Sequence, residues 1–312
     1  PVKRSLPDVL RRGLDSTIAN WPVIALRIAE SVVLIGIVIV SILVAIVPAI
    51  VAAGLSKDEI MNSSDPPSAI VGWLIGHLIL FVWMFAFAFI VVGVLLAIHA
   101  FVEGGIAQIY VDGERNAKRL PAPGRDAFRA FSVDRWLAGG AASWWRIFWL
   151  YNWAWSVGLL FVLVPLMLTI VGLVLISDTV GRVVVACVGI AVAIFVLIPV
   201  AIVVSIWCAK AITICVARAL PARESLRVAW RAVRDDLGRH VAVALIAFVV
   251  SMALNSIVSA FSIPMSISQH QMPSMALIFA PMRLVSGVVQ SMVSAAVGSW
   301  LMACFVSMTE ER

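Results

Sequence analysis

Charge is costly in lipid, so ionisable side chains inside or beside long apolar runs are the first candidates for chemistry. Arg27 and Glu30 stand one helical turn apart, and His99 and Glu103 are four residues apart. Arg146, Lys210 and His240 each sit near the end of an apolar run. Gathered at one depth, Glu30, His99, Glu103 and His240 would line a polar vestibule. Arg27, Arg146 and Lys210 would hold a lipid phosphate there through charge-assisted hydrogen bonds. The plainer reading is snorkelling side chains and local ion pairs that finish overlong helices.

Six of the 12 tryptophans fall between Trp136 and Trp155. Trp145, Trp149 and Trp153 repeat every four residues, which places them on one helical stripe. Tryptophan favours the headgroup region, where its ring is apolar and its N–H is wet. The stripe reads as an interfacial belt, or more sharply as a flat face for a partner helix or a chlorin or quinone ring. Asn152, deeper in the same run, requires a polar partner.

Other candidates are weaker. His77, His99, His240 and His270 would ligate haem only if two shared a depth. Met265, His270, Met272, Met275 and Met282 offer Cu(I) ligands at irregular spacing. Cys187, Cys208, Cys215 and Cys304 all sit in apolar runs and show no zinc spacing. No nucleophile-elbow, P-loop, HExxH or dinucleotide fingerprint is present, and no metal or cofactor is expected. A non-enzymatic protein is the expectation.

Behind these residues lies a chain of 312 residues, 62% apolar and 13% charged, with a mean hydropathy of +1.07. Soluble domains carry about 45–50% apolar and about 25% charged residues. The bilayer is the solvent that fits. Apolar segments at roughly 23–53, 70–101, 147–176, 183–209, 241–262 and 284–308 each exceed the ~20 residues that cross a hydrocarbon core. Lipid offers the backbone no partner, so each is expected as a helix, and the longest must tilt or project. Residues 1–20 are polar and basic, and the first apolar run is too long for a signal h-region, so a retained span is expected.

Of the 23 lysines and arginines, only Lys57, Arg182 and Arg283 fall on one side of these spans. That asymmetry predicts an integral membrane protein with both termini cytoplasmic. Small residues mark helix contacts: Gly72 and Gly76; Ser251, Asn255 and Ser259; Gly287, Ser291 and Ala295, beside Gln290.

Three basic segments share a pattern: Leu6-Pro7-Asp8-Val9-Leu10-Arg11; Leu120-Pro121 with Asp126-Ala127-Phe128-Arg129; Leu220-Pro221 with Glu224-Ser225-Leu226-Arg227. Proline suits a first helical turn and the acid complements the dipole. An apolar stripe follows in the first (Leu6, Leu10, Leu14, Ile18, Trp21) and third (Leu226, Trp230, Val233, Leu237). Such helices lie in the interface with the apolar side down. The chain thus reads as three tandem parallel units, 1–102, 103–217 and 218–312, each an amphipathic elbow helix plus two spans. The predicted fold is all-α: six transmembrane helices and three interfacial ones in a single membrane domain.

Leu-Pro elbows each followed by two spans resemble a broad group of bacterial six-span proteins. It includes the YciC-like proteins and the membrane domain attached to some glycerophosphodiester phosphodiesterases. In that group the phosphodiester chemistry belongs to a separate soluble domain, whose metal cluster has no counterpart here. The resemblance therefore implies a fold and a bacterial inner-membrane location, and no catalytic residue.

Together these features predict an accessory or scaffold subunit, or a lipid-binding membrane protein. The expected partners are anionic inner-leaflet lipids, another membrane protein or a second copy, and not nucleic acid. A small-molecule or lipid carrier or channel is the alternative, and a haem- or pigment-associated electron-transfer subunit the next.

Overall fold

The computed structural model describes the backbone of residues 3–53, 78–120, 123–176, 178–271 and 276–311. Side chains are described there except at 46–53, 81, 174, 193, 261–271 and 276–284. Among the described residues all regular structure is helical: α1 Leu6–Ala19, α2 Pro22–Ala53, α3 Leu78–Lys118, a 3-10 turn Arg125–Phe128, α4 Val133–Leu175, α5 Thr179–Arg218, α6 Ala222–Asp235, α7 Leu237–Gln271 and α8 Ala276–Thr309. Six are long and apolar enough to cross a membrane: α2, α3, α4, α5, α7 and α8.

Local chemistry explains the ends. Ser5 caps α1 by accepting the Asp8 N–H, with Pro7 in the first turn. Ser132 caps α4 through the Arg135 N–H, and Asp178 caps α5 through the N–H groups of Val180 and Gly181. At the far end of α5, Ala219 turns left-handed (φ 55°), and Pro221 starts α6.

The described chain divides into two compact units: Pro1–Arg27 with Ala100–Arg312, and Ile28–His99. All tertiary contacts discussed below lie within the first, apart from the Glu30–His99 pair of the second. The core of the first unit is built around the last third of α3, where Ile106, Ile109, Tyr110, Val111 and Glu114 are buried. Ile147 and Leu150 of α4, Cys208, Ile214 and Cys215 of α5, and Met302 and Val306 of α8 pack in the same cluster. The most apolar 18-residue window of α3 buries none of its residues. That stretch is left for lipid, and protein packs on the helix where its apolar run has ended.

The helices α3 and α4 outrun the expected spans of 70–101 and 147–176. At 41 residues, α3 is about 60 Å long, roughly twice a hydrocarbon core. Their extensions cross at glycines. A Cβ on Gly105 would stand 2.3 Å from Trp136 Cδ1, and one on Gly140 would stand 2.8 Å from the Phe101 carbonyl oxygen.

Two expectations about the elbows change. The first and third form 14-residue helices. The second is a four-residue 3-10 turn, Arg125–Phe128, followed four residues later by Ser132, the cap of α4. In the third, Leu226 and Val233 are buried in protein, as are Ala229 and Ala232, while Trp230 and Leu237 are exposed. Half of its apolar stripe therefore packs on the bundle, and half remains on the surface. In the first, Leu14, Ile18 and Trp21 do face outward. Gly287 and Ser291 are exposed, and a Cβ on Gly287 would meet no described atom within 4 Å. Gly72 and Gly76 lie outside the described residues.

Candidate membrane-interface site

The tryptophan stripe of α4 is on the surface: Trp145 is 54%, Trp149 42% and Trp153 40% exposed. Trp145 and Trp149 meet edge to face with centroids 5.7 Å apart, and Trp145 stacks on Phe148 at 5.6 Å. Beside the stripe runs α6, whose outward side carries Arg223, Arg227, Arg231 and Arg234, all exposed. The Arg223 guanidinium lies 4.4 Å over the Trp153 ring, a cation–π contact that joins the basic row to the stripe. Trp207 of α5 anchors α6 from beneath: its Nε1 donates to the Leu226 carbonyl at 2.8 Å, and its ring meets Trp230 at 5.7 Å. Exposed tryptophan with arginine at its rim suits the headgroup layer, where anionic oxygens meet the first acyl carbons.

The ionisable candidates form separate groups. Arg27 is ion-paired with Glu103 in a bidentate contact. The pair lines a cavity of about 230 Å³ with Trp155, Cys208 and Met302. Glu30 and His99 pair with each other, Nδ1 to Oε1 at 2.6 Å. Lys210 is buried and donates to Thr309 Oγ1 at 2.8 Å and the Phe305 carbonyl at 3.3 Å. With His240 it lines a second cavity, of about 100 Å³. Arg146 donates to the Ala142 carbonyl of its own helix. Within the first unit, then, Arg27 and Glu103 share one cavity while Lys210 and His240 share another. Arg146 lines neither of these two cavities.

Asn152 spends its amide on the Phe148 carbonyl of its own helix, 2.8 Å away, so its partner is local. His77, Met272 and Met275, and the side chains of Met265, His270 and Met282, lie outside the described residues.

Two buried polar centres had no sequence signal. Glu114, 2% exposed, accepts from Arg4 Nη1 at 2.5 Å and from Arg12 Nε and Nη2 at 3.0 and 2.8 Å. Arg12 also covers the Phe128 ring at 5.0 Å. Asn20 donates to the Phe128 carbonyl at 2.8 Å and accepts the N–H groups of Ala130 and Phe131, both at 2.9 Å. It thereby ties the end of α1 to the segment that follows the 3-10 turn. Acids and amides in a basic segment look like ordinary solvated residues, and only the fold reveals their partners.

Fold and surface together define a chain that is helical throughout its described regular structure, with six helices long and apolar enough to cross a membrane, as in a multi-pass membrane protein. Compared with family models, with curated proteins and with solved structures, the chain matches none.

Proposed function

We propose that this chain is a non-enzymatic membrane protein that binds anionic phospholipid at the basic face of a bacterial cytoplasmic membrane. The observation that supports the reading is the seat of Arg223 over Trp153. It fixes a row of exposed arginines at the edge of an exposed tryptophan stripe, so phosphate and the upper acyl chain are met side by side. The charge split across the spans supports a cytoplasmic side for this face and for both termini. The two elbow helices and the shared Leu-Pro pattern are consistent with tandem parallel units of the six-span type that the sequence resembles.

Brominated phospholipids test the reading by quenching nearby tryptophan. In vesicles with anionic brominated lipid, the fluorescence contributed by Trp145, Trp149 and Trp153 is quenched more than with a brominated choline lipid. The contribution is read as the difference from a variant with phenylalanine at the three positions. Replacing Arg223, Arg227 and Arg231 by glutamine removes the difference. Equal quenching by both lipids in the unaltered protein overturns the proposal.

The exposed stripe also serves a second reading, an accessory subunit that docks a partner helix on the same rings. A stoichiometric protein that stays bound in mild detergent, and leaves when the three tryptophans are replaced, would favour it.

A further inference from the structure

A groove of about 540 Å³ runs along the outward side of α6, lined by Arg223, Glu224, Arg227, Val228 and Arg231. Its three arginines recur every four residues, so each is rooted about 6 Å further along the helix than the one before. All three are exposed. Arg223 lays the face of its guanidinium over Trp153, which leaves the N–H edge of the fork in plane and open to an oxyanion. The guanidinium groups of Arg227 and Arg231 meet no acid, carbonyl or ring of any described residue.

Like charges at four-residue spacing repel one another along a helix. Among the described residues no ion pair relieves this row, and Glu224 is exposed and pairs with none of its members. Three arginines against one glutamate leave the groove with two positive charges in excess. Apolar surface borders it on both sides. Trp153 lies beneath Arg223, and Trp230, one turn from Arg227 on the same helix, is 45% exposed. A soluble polyanion would meet the charge and leave these rings in water. A lipid meets both.

Charge and spacing narrow the kind of lipid. One monophosphate headgroup answers one excess charge and leaves the row repelling. Two separate headgroups answer both, but each must be ordered on its own. Two phosphates joined by a short bridge arrive together, the second at high effective concentration. In cardiolipin a glycerol unit joins the phosphates, a reach comparable with one helical turn. Building on the anionic-lipid reading above, we propose that the α6 groove selects a lipid with two linked phosphates, of the cardiolipin class, over monophosphate anionic lipids. Arg227 and Arg231 take one phosphate each through charge-assisted hydrogen bonds, and the free edge of Arg223 adds a donor to the nearer one. The acyl chains lie against the exposed tryptophans.

Lipid competition tests this in vesicles that hold the full chain. Brominated phosphatidylglycerol quenches the tryptophan stripe, and unlabelled cardiolipin or unlabelled phosphatidylglycerol then replaces choline lipid in steps. Cardiolipin relieves the quenching at about tenfold less added phosphate than phosphatidylglycerol. Arg227→Gln keeps the preference for anionic over choline lipid, because Arg223 and Arg231 remain, yet brings the two competitors within about twofold of each other. Arg218→Gln removes an exposed arginine from outside the row and leaves the cardiolipin advantage in place.

Equal displacement by the two lipids, compared at matched phosphate, overturns the proposal and leaves the anionic-lipid reading standing. An equal fall in Arg218→Gln and Arg227→Gln also overturns it, since net charge alone would then explain the effect. Equal quenching by brominated phosphatidylglycerol and brominated choline lipid removes the underlying reading itself, so the two failures are told apart.

Discussion

Arg12 and Glu114 face each other across 102 positions of sequence, with Nη2 2.8 Å from Oε1 and the carboxylate almost wholly out of solvent. Arg4 reaches the same oxygen, so one buried acid holds two guanidinium groups. Removing one partner of a buried pair leaves the other charge uncompensated, at a cost of about 3–5 kcal/mol. Glu114→Gln is expected to lower stability by an amount of that order, read as thermal unfolding of the detergent-solubilised chain. A shift no larger than that of a surface Glu224→Gln control would show that the arginines find other partners.

Asn20 gives a second, uncharged test. It satisfies the backbone of Phe128, Ala130 and Phe131 together. Asn20→Ala leaves those groups unpaired at a buried site, where each costs about 1–3 kcal/mol. The expected outcome is a large loss of stability, with faster hydrogen exchange concentrated at 128–131. Uniform exchange across the chain would contradict the local role.

Two glycines of one helix should respond in opposite ways. In Gly105→Ala the new methyl meets Trp136, both its ring and its carbonyl oxygen at 2.5 Å, so overpacking costs about 1–3 kcal/mol. In Gly93→Ala the methyl meets nothing within 4 Å, and helix propensity favours the change by up to about 1 kcal/mol. Paired melting curves decide the matter, and similar shifts would argue against the close crossing of α3 and α4.

Ala219 is the only described non-glycine residue with a positive φ. The left-handed turn costs an L-residue roughly 1–2 kcal/mol, which glycine avoids while adding entropy to the unfolded chain. Ala219→Gly is therefore expected to leave stability unchanged or raise it by up to about 1 kcal/mol. A clear loss in the melting temperature would mean that the α5–α6 corner is held by something other than this turn.

Topology is tested by single cysteines placed at Arg129 and Arg227 in a cysteine-free background. Both follow a Leu-Pro segment, and the charge pattern predicts one side for both. A membrane-impermeant maleimide should label both only after vesicles of the appropriate orientation are opened. Labelling of one in sealed vesicles and the other only in opened ones would break the tandem reading.

How far the sequence carried the fold depends on what each signal measures. Six spans were legible because lipid demands about 20 apolar residues in a row, and no other constraint produces such runs. The tryptophan stripe was legible because a four-residue period fixes a face. The reach of α3 was not, since Glu103, Gly104, Gly105, Gly113 and Glu114 end the apolar run while the helix continues to Lys118. Those residues serve close packing and buried pairing, which composition reads as solvent exposure.

Amphipathicity told only part of the placement of α6, for a related reason. Leu226 and Val233 declare an apolar face, but protein core and lipid are both apolar, and only the fold distinguishes them. Partners far apart in sequence were equally hidden. Lys210 and His240 could be named as candidates, whereas their meeting in one cavity depends on how α5 and α7 pack.

The anchoring of Arg4 has a bearing on assembly. Its guanidinium donates to both the carbonyl and the hydroxyl oxygen of Ser307, 303 positions later. On the ribosome, the basic segment emerges long before its latch exists. Insertion of the early spans must therefore precede closure, and a nascent chain stalled before Ser307 would carry α1 undocked. Quality-control proteases would meet a half-fastened intermediate whose lifetime is set by translation speed through the final span.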